Sequence, residues 1–156
     1  MIYRDWREFL PRRLALRQAG LRLAATNGCF DLLHAGHVEL LERARACGDC
    51  LLVAVNRDAA VRAAKGPQRP VVPEAERAEL LAALAAVDEV ALFAEPEPRE
   101  LYAALLPDVL VKGADWAADA IVGREEIEAA GGEVVRIPLV FGRSTTNLIT
   151  RIQAGR

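Results

Sequence analysis

The chain has 156 residues, of which 53% are apolar and 27% charged, with a formal net charge of −2. That length predicts one domain with a full hydrophobic core and no second catalytic domain. The near-neutral charge argues against a protein that wraps nucleic acid, which needs a dedicated Lys/Arg excess, and no apolar run is long enough to span a membrane.

Residues 1–20 hold Arg4, Arg7, Arg12, Arg13 and Arg17 around Trp6, Phe9, Leu10, Leu14 and Leu16. The segment lacks the apolar core of a signal peptide and predicts an N-terminal capping helix on an α/β core over 21–156, in a cytoplasmic protein. An apolar run over 21–25 reads as the first strand. It ends in Thr26-Asn27-Gly28, and Val38, Leu41 and Ala44 then follow at helical spacing. The unbroken apolar run 51–56 reads as a buried strand, followed by a short helix over 57–64. The loop Lys65-Gly66-Pro67-Gln68-Arg69-Pro70 has little apolar content to pin it and is expected to close over a bound ligand.

Further along, helices are predicted over 74–84, 98–106, 119–130 and from Thr145, and strands over 87–93, 109–112 and 133–137. Strands alternating with helices imply one doubly wound, parallel, Rossmann-like α/β sheet over the whole chain. The cysteines are Cys29, Cys47 and Cys50. An odd count without an export signal favours reduced thiols, and the Cys47-Gly48-Asp49-Cys50 spacing lacks the second pair or histidine that a zinc site needs.

His34 and His37, the only histidines, flank Ala35-Gly36 where the first strand passes into a helix. In an open α/β sheet that junction is the crevice at the carboxyl ends of the strands, and the free N–H groups of the new helix bind anions. A spacing of three puts both imidazoles on one side of the first turn, with Gly36 leaving space for a phosphate to approach the backbone. Packing or capping of the turn is the plainer reading of one histidine. Two of them sharing a junction with Asp31 and Gly36 point to phosphate chemistry. Gly142-Arg143-Ser144-Thr145-Thr146 ahead of Leu148, Ile149 and Ile152 reads either as a plain N-cap or as a second anion site.

With its stretch from Thr26-Asn27-Gly28-Cys29-Phe30-Asp31 to His34-Ala35-Gly36-His37, with Lys112-Gly113-Ala114-Asp115 and with the terminal Ser144-Thr145-Thr146, the chain resembles the H-x-G-H cytidylyltransferase-like nucleotidyltransferases. The resemblance runs from about residue 22 to the end. It is greatest to the D-glycero-β-D-manno-heptose 1-phosphate adenylyltransferase domain of the bifunctional ADP-heptose synthesis enzymes. Glycerol-3-phosphate cytidylyltransferases carry an Arg five places before the terminal Ser, where this chain has Leu139, with Arg143 directly before Ser144.

What the resemblance implies is an enzyme that transfers AMP from ATP to the heptose 1-phosphate, releasing pyrophosphate, in a lipopolysaccharide-type pathway. His34, His37 and Lys65 would be catalytic. Asn27, Gly28, Cys29, Phe30, Gly36, Lys112, Gly113, Asp115, Trp116, Ser144 and Thr145 would bind the nucleotide. Mg²⁺ would arrive on ATP, a separate kinase would supply the sugar phosphate, and the protein would be a homodimer that binds neither nucleic acid nor membrane.

Plainer readings stand beside several of these roles. Lys65 also reads as a solvated loop lysine, Trp116 as core, and Arg77 as a surface arginine paired with Glu74 or Glu76 rather than support beside the site. Asp31 is expected to fix the turn or orient a histidine rather than bind metal. The alternative functions are a cytidylyltransferase acting on glycerol 3-phosphate or another alcohol phosphate, another nucleotidyl transfer such as one to a flavin, or a non-catalytic nucleotide-binding regulatory module.

Overall fold

The computed structural model describes residues 1–114, 117, 120–138 and 145–155. Six strands, β1 (Ile2–Tyr3), β2 (Leu23–Gly28), β3 (Cys50–Asn56), β4 (Glu89–Phe93), β5 (Val109–Gly113) and β6 (Glu133–Ile137), form one sheet in the order β1-β4-β3-β2-β5-β6. Every neighbouring pair is parallel, as the alternation of strands and helices requires. The helices are α1 (Leu10–Gln18), α2 (Ala35–Arg45), α3 (Asp58–Lys65), α4 (Glu74–Ala82), α5 (Arg99–Leu105), α6 (Arg124–Ala129) and α7 (Thr145–Gln153). No helix among the described residues is long and apolar enough to cross a membrane.

Because successive strand residues point to opposite faces, the core divides in two. On one face Leu23 and Ala25 of β2, Leu52 and Ala54 of β3 and Leu110 of β5 pack under α1, α5 and α6. On the other face Ala24, Leu51, Val53, Val109 and Val111 pack under α2 and α4. The inner strands β3 and β4 are buried on both faces, which is why they read as continuous runs rather than alternating ones.

The first twenty residues depart from the single expected helix. They form β1, a 3₁₀ turn over Trp6–Phe9 and then α1, with Pro11 in the first turn of that helix. Ile2 and Tyr3 pair with Val90 and Ala91, so β1 covers the edge of β4. Arg13, only 3% exposed, anchors α1 by donating to the Leu105 carbonyl at 2.9 Å and to Asp108 at 2.9 Å. A second departure is β2, which runs on to Gly28 because Thr26, Asn27 and Gly28 stay paired with Val53, Ala54 and Val55. The described helix before β6 is confined to Arg124–Ala129 and starts at Gly123, whose φ of 88° only glycine adopts readily. All three cysteines are free thiols, Cys50 buried in β3 and Cys47 with its Sγ donating to the Arg43 carbonyl at 3.3 Å.

Candidate active site

Strand β2 lies between β3 and β5. The chain leaves β2 through α2 on one face, whereas α5, which leads into β5, packs on the other. The sheet therefore changes direction of winding at β2, and a crevice opens at its carboxyl end.

At that end Phe30 turns the chain with a φ of 46°, its ring buried against the backbone of Gly28, where a Cβ would come within 3.1 Å of the ring. His34 then N-caps α2 in an extended conformation, and its carbonyl accepts from the amides of His37 at 2.8 Å and Val38 at 3.3 Å. The two imidazoles stack, with centroids 3.9 Å apart and planes 18° from parallel, while the Phe30 ring lies 5.3 Å from that of His37. Nδ1 of His37 is buried with no partner among the described residues. Burial, reinforced by His34 and by the charge of Lys65, pushes the His37 pKa down to about 4, so the ring is neutral near pH 7. A neutral imidazole with an orphaned polar atom at a helix N-terminus is suited to meet an oxygen-rich ligand. Gly36 sits half-buried in the same first turn.

Lys65 is the exposed last residue of α3, and its charge acts on His37. The loop behind it is not wholly unpinned, as its composition suggests, because polar contacts to Asp31 hold its far end. The Asp31 carboxylate accepts from Arg69 Nε at 2.5 Å and from the amides of Val71 at 2.8 Å and Val72 at 2.9 Å. Burial alone would raise the Asp31 pKa, but these donors outweigh it and hold the carboxyl below its usual range. Asp31 thus ties the turn after β2 to the segment that precedes α4.

Arg77 is neither a surface residue nor paired with Glu74 or Glu76. It is fully buried, and its guanidinium donates to the carbonyls of Val72, Cys29 and Asn56 and to Asp58 at 2.8 Å. One side chain so joins the carboxyl ends of β2 and β3, the start of α3 and the loop before α4.

On the opposite face of the crevice, Asn27 Oδ1 accepts from the Tyr102 hydroxyl at 2.8 Å and from Lys112 Nζ. Tyr102 is wholly buried and Lys112 is 8% exposed. Burial pushes the Tyr102 pKa up, which keeps the phenol protonated and donating. Cys29 Sγ lies 3.9 Å from Asn56 Oδ1, and Gly113 ends β5 beside Lys112. Thr145, first residue of α7, donates from Oγ1 to the Leu32 carbonyl at 3.2 Å, which brings that helix to the β2–α2 loop. Asp115, Trp116, Arg143 and Ser144 lie outside the described residues.

Three residues that build this site escape a reading of the sequence. Tyr102 sits among Leu101 and Leu105 in an apolar helix and reads as core. Arg69 and Asp58 lie in no motif, and only the folded chain brings them to Asp31 and Arg77.

The sequence profile of the family described as cytidylyltransferase-like matches residues 25–148. Among curated proteins, "Bifunctional protein HldE" of Acidiphilium cryptum (strain JF-5) is 54% identical over 138 residues, 88% of this chain and 28% of that protein. The protein of the same name from Koribacter versatilis (strain Ellin345) is 56% identical over 130 residues, 83% of this chain and 27% of its own length. This chain therefore spans less than a third of those relatives. Among solved structures, the lipopolysaccharide core biosynthesis protein from Thermoplasma volcanium GSS1 superposes with a TM-score of 0.64 at 29% identity, covering 78% of this chain and 98% of that one. Pantothenate synthetase from Thermus thermophilus shares the fold, with a TM-score of 0.65 at 20% identity over 98% of this chain and 70% of that one.

Proposed function

This chain belongs to the cytidylyltransferase-like family, and from that membership we propose that it is a nucleotidyltransferase that moves AMP from ATP onto D-glycero-β-D-manno-heptose 1-phosphate. The observation that carries the proposal is the stacked His34/His37 pair at the N-terminus of α2, at the point where the sheet reverses its winding. The identity to bifunctional HldE proteins and the likeness to a lipopolysaccharide core biosynthesis protein support the sugar acceptor and a place in lipopolysaccharide-type synthesis.

A sugar phosphate is an anion near pH 7, so its oxygen attacks the α-phosphorus of ATP without a general base. The new bond forms as the bond from the α-phosphorus to the bridging oxygen breaks, and pyrophosphate leaves with the electron pair. The protein must supply alignment and positive electrostatic potential. His34 and His37 donate to oxygens at the α-phosphorus, joined by the first N–H groups of α2. Lys65 adds charge from the end of α3, and the N-terminus of α7, held to the β2–α2 loop by Thr145, receives the β- and γ-phosphates. The described donors suit phosphate oxygens, and Asp31, the carboxylate of the turn, is already engaged by Arg69, Val71 and Val72. That donor set fits a Mg²⁺ ion carried on ATP by phosphate oxygens and water, where it would neutralise charge on the leaving pyrophosphate. A cytoplasmic homodimer, supplied with its sugar phosphate by a sugar kinase activity, completes the proposal.

The test crosses ATP, CTP, GTP and UTP with heptose 1-phosphate, glycerol 3-phosphate and flavin mononucleotide, read by pyrophosphate release. ATP with heptose 1-phosphate should lead in kcat/KM by roughly a hundredfold, the ratio that ~3 kcal/mol of transition-state discrimination gives. Preference for CTP with glycerol 3-phosphate would overturn the acceptor and the base together. Silence across a panel widened to other phosphorylated acceptors would leave a nucleotide-binding regulatory module.

A further inference from the structure

We propose that Asn27, Lys112 and Tyr102 form the seat of the acceptor's phosphate, with Tyr102 a positioning residue that fixes the other two. The inference rests on the nucleotidyl-transfer reading above and reassigns Lys112 and Asn27, expected at the nucleotide, to the opposite side of the reacting phosphorus.

Placement carries the first part of the argument. Asn27 follows Leu23 and Ala25 at a period of two, and Lys112 follows Leu110, so both side chains fall on the face covered by α1, α5 and α6. The stacked histidines, by contrast, stand at the start of α2, whose Leu41 and Ala44 pack on the other face, and Thr145 ties the start of α7 to that same loop. In an in-line displacement the attacking oxygen and the leaving oxygen lie on opposite sides of the phosphorus. If the leaving pyrophosphate is held by α2 and α7, the attacking phosphate must enter from the wall that carries Lys112.

Chemistry carries the second part. A phosphate monoester needs a cation and oriented N–H donors, and Lys112 with Asn27 supplies both. Lys112 is 8% exposed and stands against the Asn27 amide at the end of β5. Asn27 Oδ1 takes the Tyr102 hydroxyl and the Lys112 ammonium, which fills its two acceptor positions and leaves the amide nitrogen as its donating end. Tyr102, fully buried among Leu101, Leu105 and Ile121, cannot touch a ligand but holds that amide in a single orientation.

The experiment titrates inorganic phosphate into the wild-type protein, Tyr102→Phe and Lys112→Met while α,β-methylene ATP occupies the nucleotide site, with calorimetric detection. Acceptor KM and kcat are measured alongside with the best acceptor of the wild type. Lys112→Met should weaken phosphate binding by roughly 10- to 100-fold and Tyr102→Phe by about 3- to 10-fold, the range for losing a charged and a neutral hydrogen bond. Acceptor KM should rise in step, with kcat and the affinity for the ATP analogue changed by less than about twofold. The seat is overturned if the wild type binds no phosphate beside the analogue, if both variants bind it normally, or if the analogue loosens in step with phosphate. Tyr102→Phe keeps the ring and its packing, so it decides the matter even if Lys112→Met does not fold. A wild type inactive on heptose 1-phosphate would refute the acceptor's identity, while the phosphate titration would still judge the seat.

Discussion

The imidazoles of His34 and His37 lie face to face, 3.9 Å between centroids, at the first turn of α2. Two protonated rings at that distance would repel each other, and this repulsion adds to the burial that keeps His37 neutral near pH 7.

His37 should act chiefly in the transition state. In steady-state assays His37→Ala is expected to lower kcat by about two to three orders of magnitude with little change in ATP affinity, as for loss of one oriented donor. Near-normal turnover in a folded variant would remove His37 from the chemistry.

The pH dependence follows from the same ring. With a folded pKa of about 4 against an ordinary value of 6.5, the unfolded chain binds more protons between those limits. The contribution of His37 to stability is therefore complete above pH 6.5 and is lost as pH falls toward 4. An NMR titration, assigned with His34→Gln since the chain has only two histidines, should place the His37 midpoint well below the ordinary 6.5. Bound ATP should move it upward, because a polyanion favours the protonated ring. A midpoint at 6.5 that ATP does not move would contradict the buried, stacked geometry.

Arg77→Met should act on stability before catalysis. It strands the Asp58 carboxylate and three backbone carbonyls that the guanidinium now satisfies. Asp58 is only partly buried, so most of the loss comes from the carbonyls left unsatisfied, about 1–3 kcal/mol each, which chemical denaturation would read as a lower midpoint. A change under about 1 kcal/mol would show that the junction does not depend on this side chain.

Asp31→Asn should loosen the segment that carries Arg69, Val71 and Val72 while leaving the fold intact. Limited proteolysis ought to cut the Lys65 to Pro70 loop faster in the variant, with KM for ATP raised several-fold. ATP and Mg²⁺ should slow cleavage in the wild type, where the Asp31 contacts hold only the far part of the loop. Equal cleavage rates in the two proteins would mean that Asp31 does not hold the loop. Lys65→Ala tests the charge separately, through weaker use of the triphosphate.

Local pattern alone sufficed for the parallel α/β architecture and for the histidine junction. Buried strands such as Cys50–Asn56 and Glu89–Phe93 are short, largely apolar runs between turn residues, and His34-Ala35-Gly36-His37 lies within a single helical turn, so neighbours in the chain are neighbours in space. The N-terminal segment departs from its expected single helix because β1 exists only through its pairing with β4, far along the chain, and two residues carry no strand signal of their own. Arg77 and Tyr102 are hidden for a related reason. An arginine beside glutamates looks like a surface residue, and a tyrosine among leucines looks like core, until folding brings Asp58 and Cys29 to one and Asn27 to the other. Their roles depend on hydrogen bonds between strand ends and helices far apart in the chain, and only the assembled sheet decides which donors meet which acceptors.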